Sequence, residues 1–280
     1  MIDNACDVAK TVHHSHRQAE ATVTEVAEST LHASGLLVTK SIYQGEMAFD
    51  KSLLNIKSNK SRIREIEYAV KNSMPIRVLL TGPPGTGKTA YAHALAQDND
   101  KPLIRISTSD VLSKYVGESE QQISALFQRA CDEQAILLFD EVDSLLANRQ
   151  QLHAHHEVQL VNELLAQLEC NTQPVFAATN YADKLDHAVL RRFDIKLHCN
   201  YLTTQQSCVL FKRTLNIARL THSEQCTLNT LTSLTPGDFA IVARHQRFNR
   251  SVNFRNQALS LLVDENHRKQ GKPTIGFIAT

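Results

Sequence analysis

Gly82-Pro83-Pro84-Gly85-Thr86-Gly87-Lys88-Thr89 decides the reading of this chain. The segment fits G-x-x-x-x-G-K-[ST], in which the glycines let backbone N–H groups turn inward around phosphate oxygens. In that pattern Lys88 reaches the β- and γ-phosphates, and the Thr89 hydroxyl ligates Mg²⁺. The motif requires a strand before it and a helix after it. Arg77-Val78-Leu79-Leu80 is a short apolar run that reads as a buried strand. Lys88–Gln97 reads as a helix whose positive N-terminal end faces the same anion. A chance glycine-rich turn would have neither neighbour.

Further along, Ala135-Ile136-Leu137-Leu138-Phe139 is the most apolar strand, and Asp140-Glu141 follow at its end. Ligands of parallel sheets bind at the carboxyl ends of strands. Asp140 is expected to hold Mg²⁺, mostly through water, and Glu141 to polarise an attacking water. Either acid alone would read as a helix cap for Val142–Ala147. Beside the phosphate loop, the pair points to hydrolysis, which needs mainly positioning and charge neutralisation.

The remaining pattern alternates. A helix is expected over Ser61–Asn72, stopped by Pro75. Strands follow at Leu103–Ser107, Pro174–Ala178 and Ile195–Cys199. Helices follow at Ser119–Cys131, with Ser119 and Gln122 as a capping box, and at His156–Leu168. After about Asn200 only helical segments remain, near Thr204–Arg219, Thr227–Leu234, Asp238–Phe248 and Phe254–Glu265. The fold expected is α/β: a P-loop NTPase parallel sheet with helices on both faces, followed by a small C-terminal helical lid domain. Val23, Val26, Ala27 and Leu31 share one helix face. Residues 1–50 are therefore read as a helical arm, disordered in part. The α/β nucleotide-binding domain is placed at 51–200 and the lid at 201–280.

Composition narrows the classes. Across 280 residues the formal net charge is +1, with 42% hydrophobic and 21% charged residues. That balance gives no general pull toward nucleic acid or anionic membranes. Arg244, Arg247, Arg250 and Arg255 are loosely grouped and read as a solvated helix face. Six cysteines include no C-x-x-C pair, which suits a reducing compartment. No stretch approaches the roughly 20 apolar residues of a membrane span. The first residues are polar and acidic, unlike a signal peptide, so the expected location is the cytoplasm. The histidines at 13, 14 and 16, and at 153, 155 and 156, lack Cys or acidic partners at zinc-site spacing and read as exposed polar segments.

With both phosphate-site motifs in hand, the chain resembles the AAA family of ATPases within the AAA+ superfamily. The resemblance is closest to bacterial SpoVK-type ATPases, related to the katanin, spastin and ESCRT-disassembly ATPase module. Leu234-Thr235-Pro236-Gly237-Asp238-Phe239 and the ending Ile275-Gly276-Phe277 resemble the bacterial group. Ala178-Thr179-Asn180 matches the sensor-1 segment, which implies that Asn180 orients the attacking water. Leu185–Asp194 looks like the arginine-finger segment, implying that Arg191 and Arg192 reach the γ-phosphate held by a neighbouring subunit. Lys114-Tyr115-Val116-Gly117-Glu118 matches the first pore loop, which grips a polypeptide in a central channel. Gly237 falls near the sensor-2 position without an arginine, leaving the lid to pack on nucleotide through backbone. The Asp-Gly segment that brackets adenine has no clear match, and Phe49-Asp50 is a poor one. The resemblance implies an ATP- and Mg²⁺-dependent protein-remodelling ATPase, working as a homo-oligomer, a hexameric ring, on a polypeptide substrate. A nucleotide-controlled assembly switch that threads nothing is the alternative. A nucleic-acid motor or loader rests only on the arginine group.

Overall fold

Alternation within the strands sets the layers of the molecule. The computed structural model describes residues 50–56, 60–107, 118–144, 155–248 and 254–271. In β2 (Arg77–Thr81), Val78 and Leu80 pack on one face of the sheet and Leu79 on the other. The same alternation runs through β4 (Ile136–Phe139) and β5 (Val175–Thr179), as expected of strands buried on both sides. Each face therefore needs its own helices. Helices α1 (Lys60–Lys71) and α2 (Lys88–Asp98) cover one face through Ile66, Val70, Tyr91 and Leu95. Helices α3 (Glu118–Asp132) and α4 (His155–Cys170) cover the other through Ile123, Phe127, Val161 and Leu165.

The sheet has six strands in the order β1-β6-β2-β5-β4-β3, with β1 at Asn55–Ile56, β3 at Leu103–Ile106 and β6 at Ile195–Asn200. Among the described residues β1 alone runs antiparallel, against β6; the other pairings are parallel. This order seats β5 between β2 and β4. The C-terminal ends of those three strands thus open side by side, with β6 flanking β2.

Beyond β6 come α6 (Thr204–Leu215), α7 (His222–Thr230), α8 (Pro236–Phe248) and α9 (Phe254–Lys269). Their core joins Phe211, Leu228, Phe239, Val242, Ala258 and Leu262. Leu53, ahead of the sheet, packs into this helical cluster, and Asp50 pairs with Arg213 of α6 at 2.5 Å.

Several expected boundaries shift. Helix α3 begins at Glu118, so Ser119 lies inside it and is not its cap. Asn216, left-handed at φ 52°, ends α6 well before Arg219. Helix α7 occupies His222–Thr230 and not Thr227–Leu234, because Thr221 and Glu224 form a capping box that starts it earlier. The two-residue strand β1 is too short to leave a pattern in the sequence. Residues 1–49 of the arm expected at 1–50, the pore-loop residues Lys114, Tyr115, Val116 and Gly117, and the Ile275–Phe277 ending lie outside the described residues.

Candidate nucleotide site

The loop after β2 is shaped by three glycines at positive φ: Gly82 at 134°, Gly85 at 78° and Gly87 at 92°. Gly82 is the least replaceable. A Cβ there would stand 2.0 Å from the backbone oxygen of Cys199 on the neighbouring strand β6. Gly87 is the N-cap of α2 and offers no side-chain acceptor to the helix's first amides. The Thr86 hydroxyl donates to Pro83 O at 2.8 Å and closes the turn from within.

Lys88 is buried at the centre of this loop. Its ammonium donates to Gly82 O at 2.7 Å, Pro83 O at 2.9 Å and Asn180 Oδ1 at 2.8 Å. Burial lowers its pKa, against the opposing pull of the Asp140 and Asp143 carboxylates. The Cys199 thiol is pushed up to about 11 by burial, so it is neutral near pH 7. Asn180 reaches Lys88 across 92 residues of sequence because β5 lies directly beside β2.

On the other side of β5, the Thr89 hydroxyl donates to Asp140, 3.2 Å from each carboxylate oxygen. Asp143 accepts from the Thr179 hydroxyl at 2.8 Å, and Thr179 in turn accepts from the Tyr181 backbone N–H at 2.9 Å. These bonds lock the acidic turn after β4 to the end of β5. Glu141 is exposed and sits at φ 56°, a left-handed conformation that costs a non-glycine residue energy. Its side chain is therefore at the surface and not in the core.

Arg105 of β3 also reaches the site, a contact absent from the sequence reading. Its Nη2 donates to Asp140 Oδ2 at 2.6 Å. His93, one turn after Thr89 on α2, is buried beside the pair; burial lowers its pKa first, Arg105 adds to the effect, and Asp140 opposes it.

The lid closes on the loop through one close backbone approach. Gly237 at the start of α8 donates its N–H to Gly85 O at 3.0 Å. A Cβ on Gly237 would lie 3.1 Å from Gly85 Cα, so a side chain would force the two segments apart. Asp238 is buried and accepts from Thr235 N at 2.7 Å and from the Thr235 hydroxyl at 3.0 Å. Lys269, at the end of α9, donates to both Asp238 oxygens, at 2.8 and 2.6 Å, and to the Thr235 hydroxyl at 3.0 Å.

The arginine segment is rigidly mounted. Asp186 caps the short helix α5 (His187–Leu190) by accepting from Ala188 N at 2.9 Å. Val189 and Phe193 are buried in the sheet core, and Asp194 pairs with Arg77 at 3.0 Å. The two arginines then differ. Arg191 is exposed. Arg192 is turned inward: Nη1 donates to Ala188 O at 2.9 Å, and Nε lies 2.8 Å from Glu169 Oε1, out of line with its N–H. Among the described residues, neither guanidinium bonds to the phosphate loop of its own chain.

Thus the structure brings together Gly82–Thr89, Asp140, Asn180 and Gly237, leaves Glu141 exposed next in the chain to Asp140, and sets Arg191 and Arg192 apart from them. Three inward-turning glycines, one central ammonium and a hydroxyl–carboxylate pair form a donor set that fits a polyphosphate with a hard divalent cation. Of the arginines once grouped as a solvated face, Arg244 and Arg247 are exposed, whereas Arg255 is tied to Glu224 and the Arg219 carbonyl. Arg250 lies outside the described residues.

Comparison with known proteins agrees with the fold. The family "ATPase family associated with various cellular activities (AAA)" matches residues 78–201. A probable spastin homolog from Caenorhabditis briggsae is 39% identical over 145 residues, covering 49% of this chain and 27% of that protein. A cell division cycle protein 48 homolog from Archaeoglobus fulgidus is 41% identical over 127 residues, covering 43% of this chain and 17% of that protein. The ribosome biogenesis ATPase RIX7 of Saccharomyces cerevisiae is 34% identical over 208 residues, covering 72% of this chain and 23% of that protein. The chain thus spans about a quarter or less of these relatives' lengths. A chain in the solved structure of an E. coli MS115-1 HORMA:CdnC:Trip13 complex superposes with a TM-score of 0.60 at 20% identity, over 72% of this chain and 86% of that one. That likeness concerns the fold alone. Among the described residues, no helix is long and apolar enough to cross a membrane.

Proposed function

Residues 78–201 are an AAA ATPase domain, an ATP hydrolase, and from that premise we propose that the chain uses ATP hydrolysis to remodel polypeptides as a ring of identical subunits. One observation carries the reading: Lys88 joins the phosphate loop to Asn180 while Thr89 meets Asp140, so the groups expected to bind and hydrolyse ATP share one cleft. The loop Gly82–Thr89 would wrap the phosphates with its backbone amides, and Lys88 would exchange its carbonyl partners for β- and γ-phosphate oxygens. Thr89 and Asp140 would hold Mg²⁺, which when bound neutralises phosphate charge. Glu141 would polarise the attacking water and Asn180 orient it. Gly237 would let the lid rest on nucleotide and loop together. Arg191 and Arg192 would act on a neighbour's site, Arg191 from the surface and Arg192 after release from Glu169. Lys114-Tyr115-Val116-Gly117 would grip the polypeptide in the channel.

A hexamer, a cytoplasmic location, and the division into an arm at 1–50, an α/β domain at 51–200 and a lid at 201–280 belong to the same proposal. The proposed substrate is a polypeptide. The test is a pair of variants. Glu141→Gln should bind ATP as the parent does and hydrolyse it at least about a hundredfold more slowly. Lys88→Ala should lose nucleotide binding. Parental turnover in Glu141→Gln would end the assignment.

A further inference from the structure

β3 is an edge strand whose four residues, Leu103-Ile104-Arg105-Ile106, are buried except for the arginine. A lone charge on an apolar edge strand has an ordinary use, keeping the edge soluble. Arg105 does something more specific. Its guanidinium places Nη2 2.6 Å from Asp140 Oδ2, just past the end of the adjacent strand β4. The carboxylate is nearly buried, at 11% side-chain exposure, whereas the arginine side chain remains 44% exposed. The Thr89 hydroxyl stands 3.2 Å from both Asp140 oxygens, so Arg105 shares Oδ2 with it while Oδ1 faces Thr89 without the arginine. The contact uses one guanidinium nitrogen and one carboxylate oxygen, so it is not the two-pronged clamp that holds such pairs most firmly.

We infer that Arg105 is a positioning residue that competes with Mg²⁺ for Asp140 and so sets how much free Mg²⁺ the chain needs to bind nucleotide tightly. The inference rests on the proposed function of this cleft. A carboxylate attracts a divalent cation through its negative charge, and a guanidinium in contact with it cancels much of that charge. It also adds a positive charge close to where the cation would stand. The half-exposed arginine can swing from the edge strand into solvent without opening the core, so the competition is reversible. Asp140 would then be partnered at low Mg²⁺ and released to the cation at high Mg²⁺, with Thr89 keeping its place beside the carboxylate in both conditions.

The experiment is a titration of Mg²⁺ against the affinity for fluorescently labelled ADP, with no turnover involved. Arg105→Met keeps the length of the stem and removes the charge; Arg105→Gln removes the charge with a polar end; Arg105→Lys keeps the charge. Both neutral variants should reach half of the Mg²⁺-induced tightening at about three- to tenfold lower Mg²⁺ than the parent, a modest shift because solvent screens a half-exposed arginine. Arg105→Lys should stay within about twofold of the parent, because the electrostatic competition survives. Affinity in chelator, without Mg²⁺, should be the same for all four proteins and shows that the loop is intact. An unchanged or raised Mg²⁺ requirement in the neutral variants would overturn the inference, the latter by making Arg105 an aid to the cation. Failure of both neutral variants to fold would overturn it too, since a releasable arginine cannot be a structural brace. If the parent itself gains no affinity from Mg²⁺, the reading of the cleft fails and not this inference alone.

Discussion

Lys269→Met tests whether the far end of the lid holds the phosphate loop in place. The ammonium of Lys269 contacts both oxygens of Asp238, and the two side chains are 19% and 5% exposed. Deleting one member of a buried ion pair costs about 3–5 kcal/mol, because the other charge is stranded. Here two donors stay with Asp238, the Thr235 amide and hydroxyl. Those remaining donors keep the carboxylate partly compensated, so the expected loss lies at the low end of that range, about 3 kcal/mol. For a domain of this size that is a drop in Tm of about 6–12 °C. Affinity for ADP should weaken as well, since Thr235 and Gly237 are the residues that meet Gly85. The control is a double-mutant cycle. In an Asp238→Asn background no charge is stranded, and Lys269→Met should then cost under about 1 kcal/mol. A loss below about 0.5 kcal/mol in the parent background, or an equal loss in both backgrounds, would refute the reasoning.

Gly82→Ala should lose nucleotide binding outright, because its Cβ would collide with the Cys199 carbonyl and its φ of 134° is closed to alanine; parental affinity for labelled ADP would contradict this. Arg191→Ala and Arg192→Ala should each bind ATP but slow hydrolysis at least about tenfold, within the reach of an arginine finger. Mixing either with Lys88→Ala protein should restore some activity, and failure to do so in mixed assemblies would count against a shared site. The two should differ in stability: Arg191→Ala should melt within about 0.5 kcal/mol of the parent, and Arg192→Ala lower, because it alone loses the Glu169 and Ala188 contacts. Tyr115→Ala should keep basal ATPase and lose stimulation by a loosely folded protein; equal processing by variant and parent would favour the assembly switch.

What could be read in the sequence is what local chemistry dictates. The phosphate loop is contiguous, and its glycines answer to backbone angles that side chains cannot adopt. The strands announced themselves by apolar runs, which sheet burial on two faces requires. The nonlocal joins were harder. That Asn180 meets Lys88 follows from β5 lying beside β2, an order that no window of sequence contains. Arg105 reads as an edge-strand charge until the bend toward Asp140 is seen. Lys269 reads as a basic residue suited to a helix C-terminus, and its burial against Asp238 depends on how α9 crosses α8. The left-handed backbone at Glu141 has no signal in its side chain. By contrast, the early start of α7 was legible: Thr221 and Glu224 stand at capping-box spacing, but the weak apolar pattern downstream drew the helix too far along.

The attachment of Asp50 and Leu53 has a mechanical meaning. These residues precede the sheet in the chain yet are fastened to the helical half, through Arg213 and the core around Phe211. Lys51, between them, pairs instead with Glu67 of α1 and Asp98 of α2 in the α/β half. Four consecutive residues thus bolt the two halves together ahead of the first long strand. Any rotation of one half against the other would strain this stretch, as a hinge pin takes the turn of both leaves.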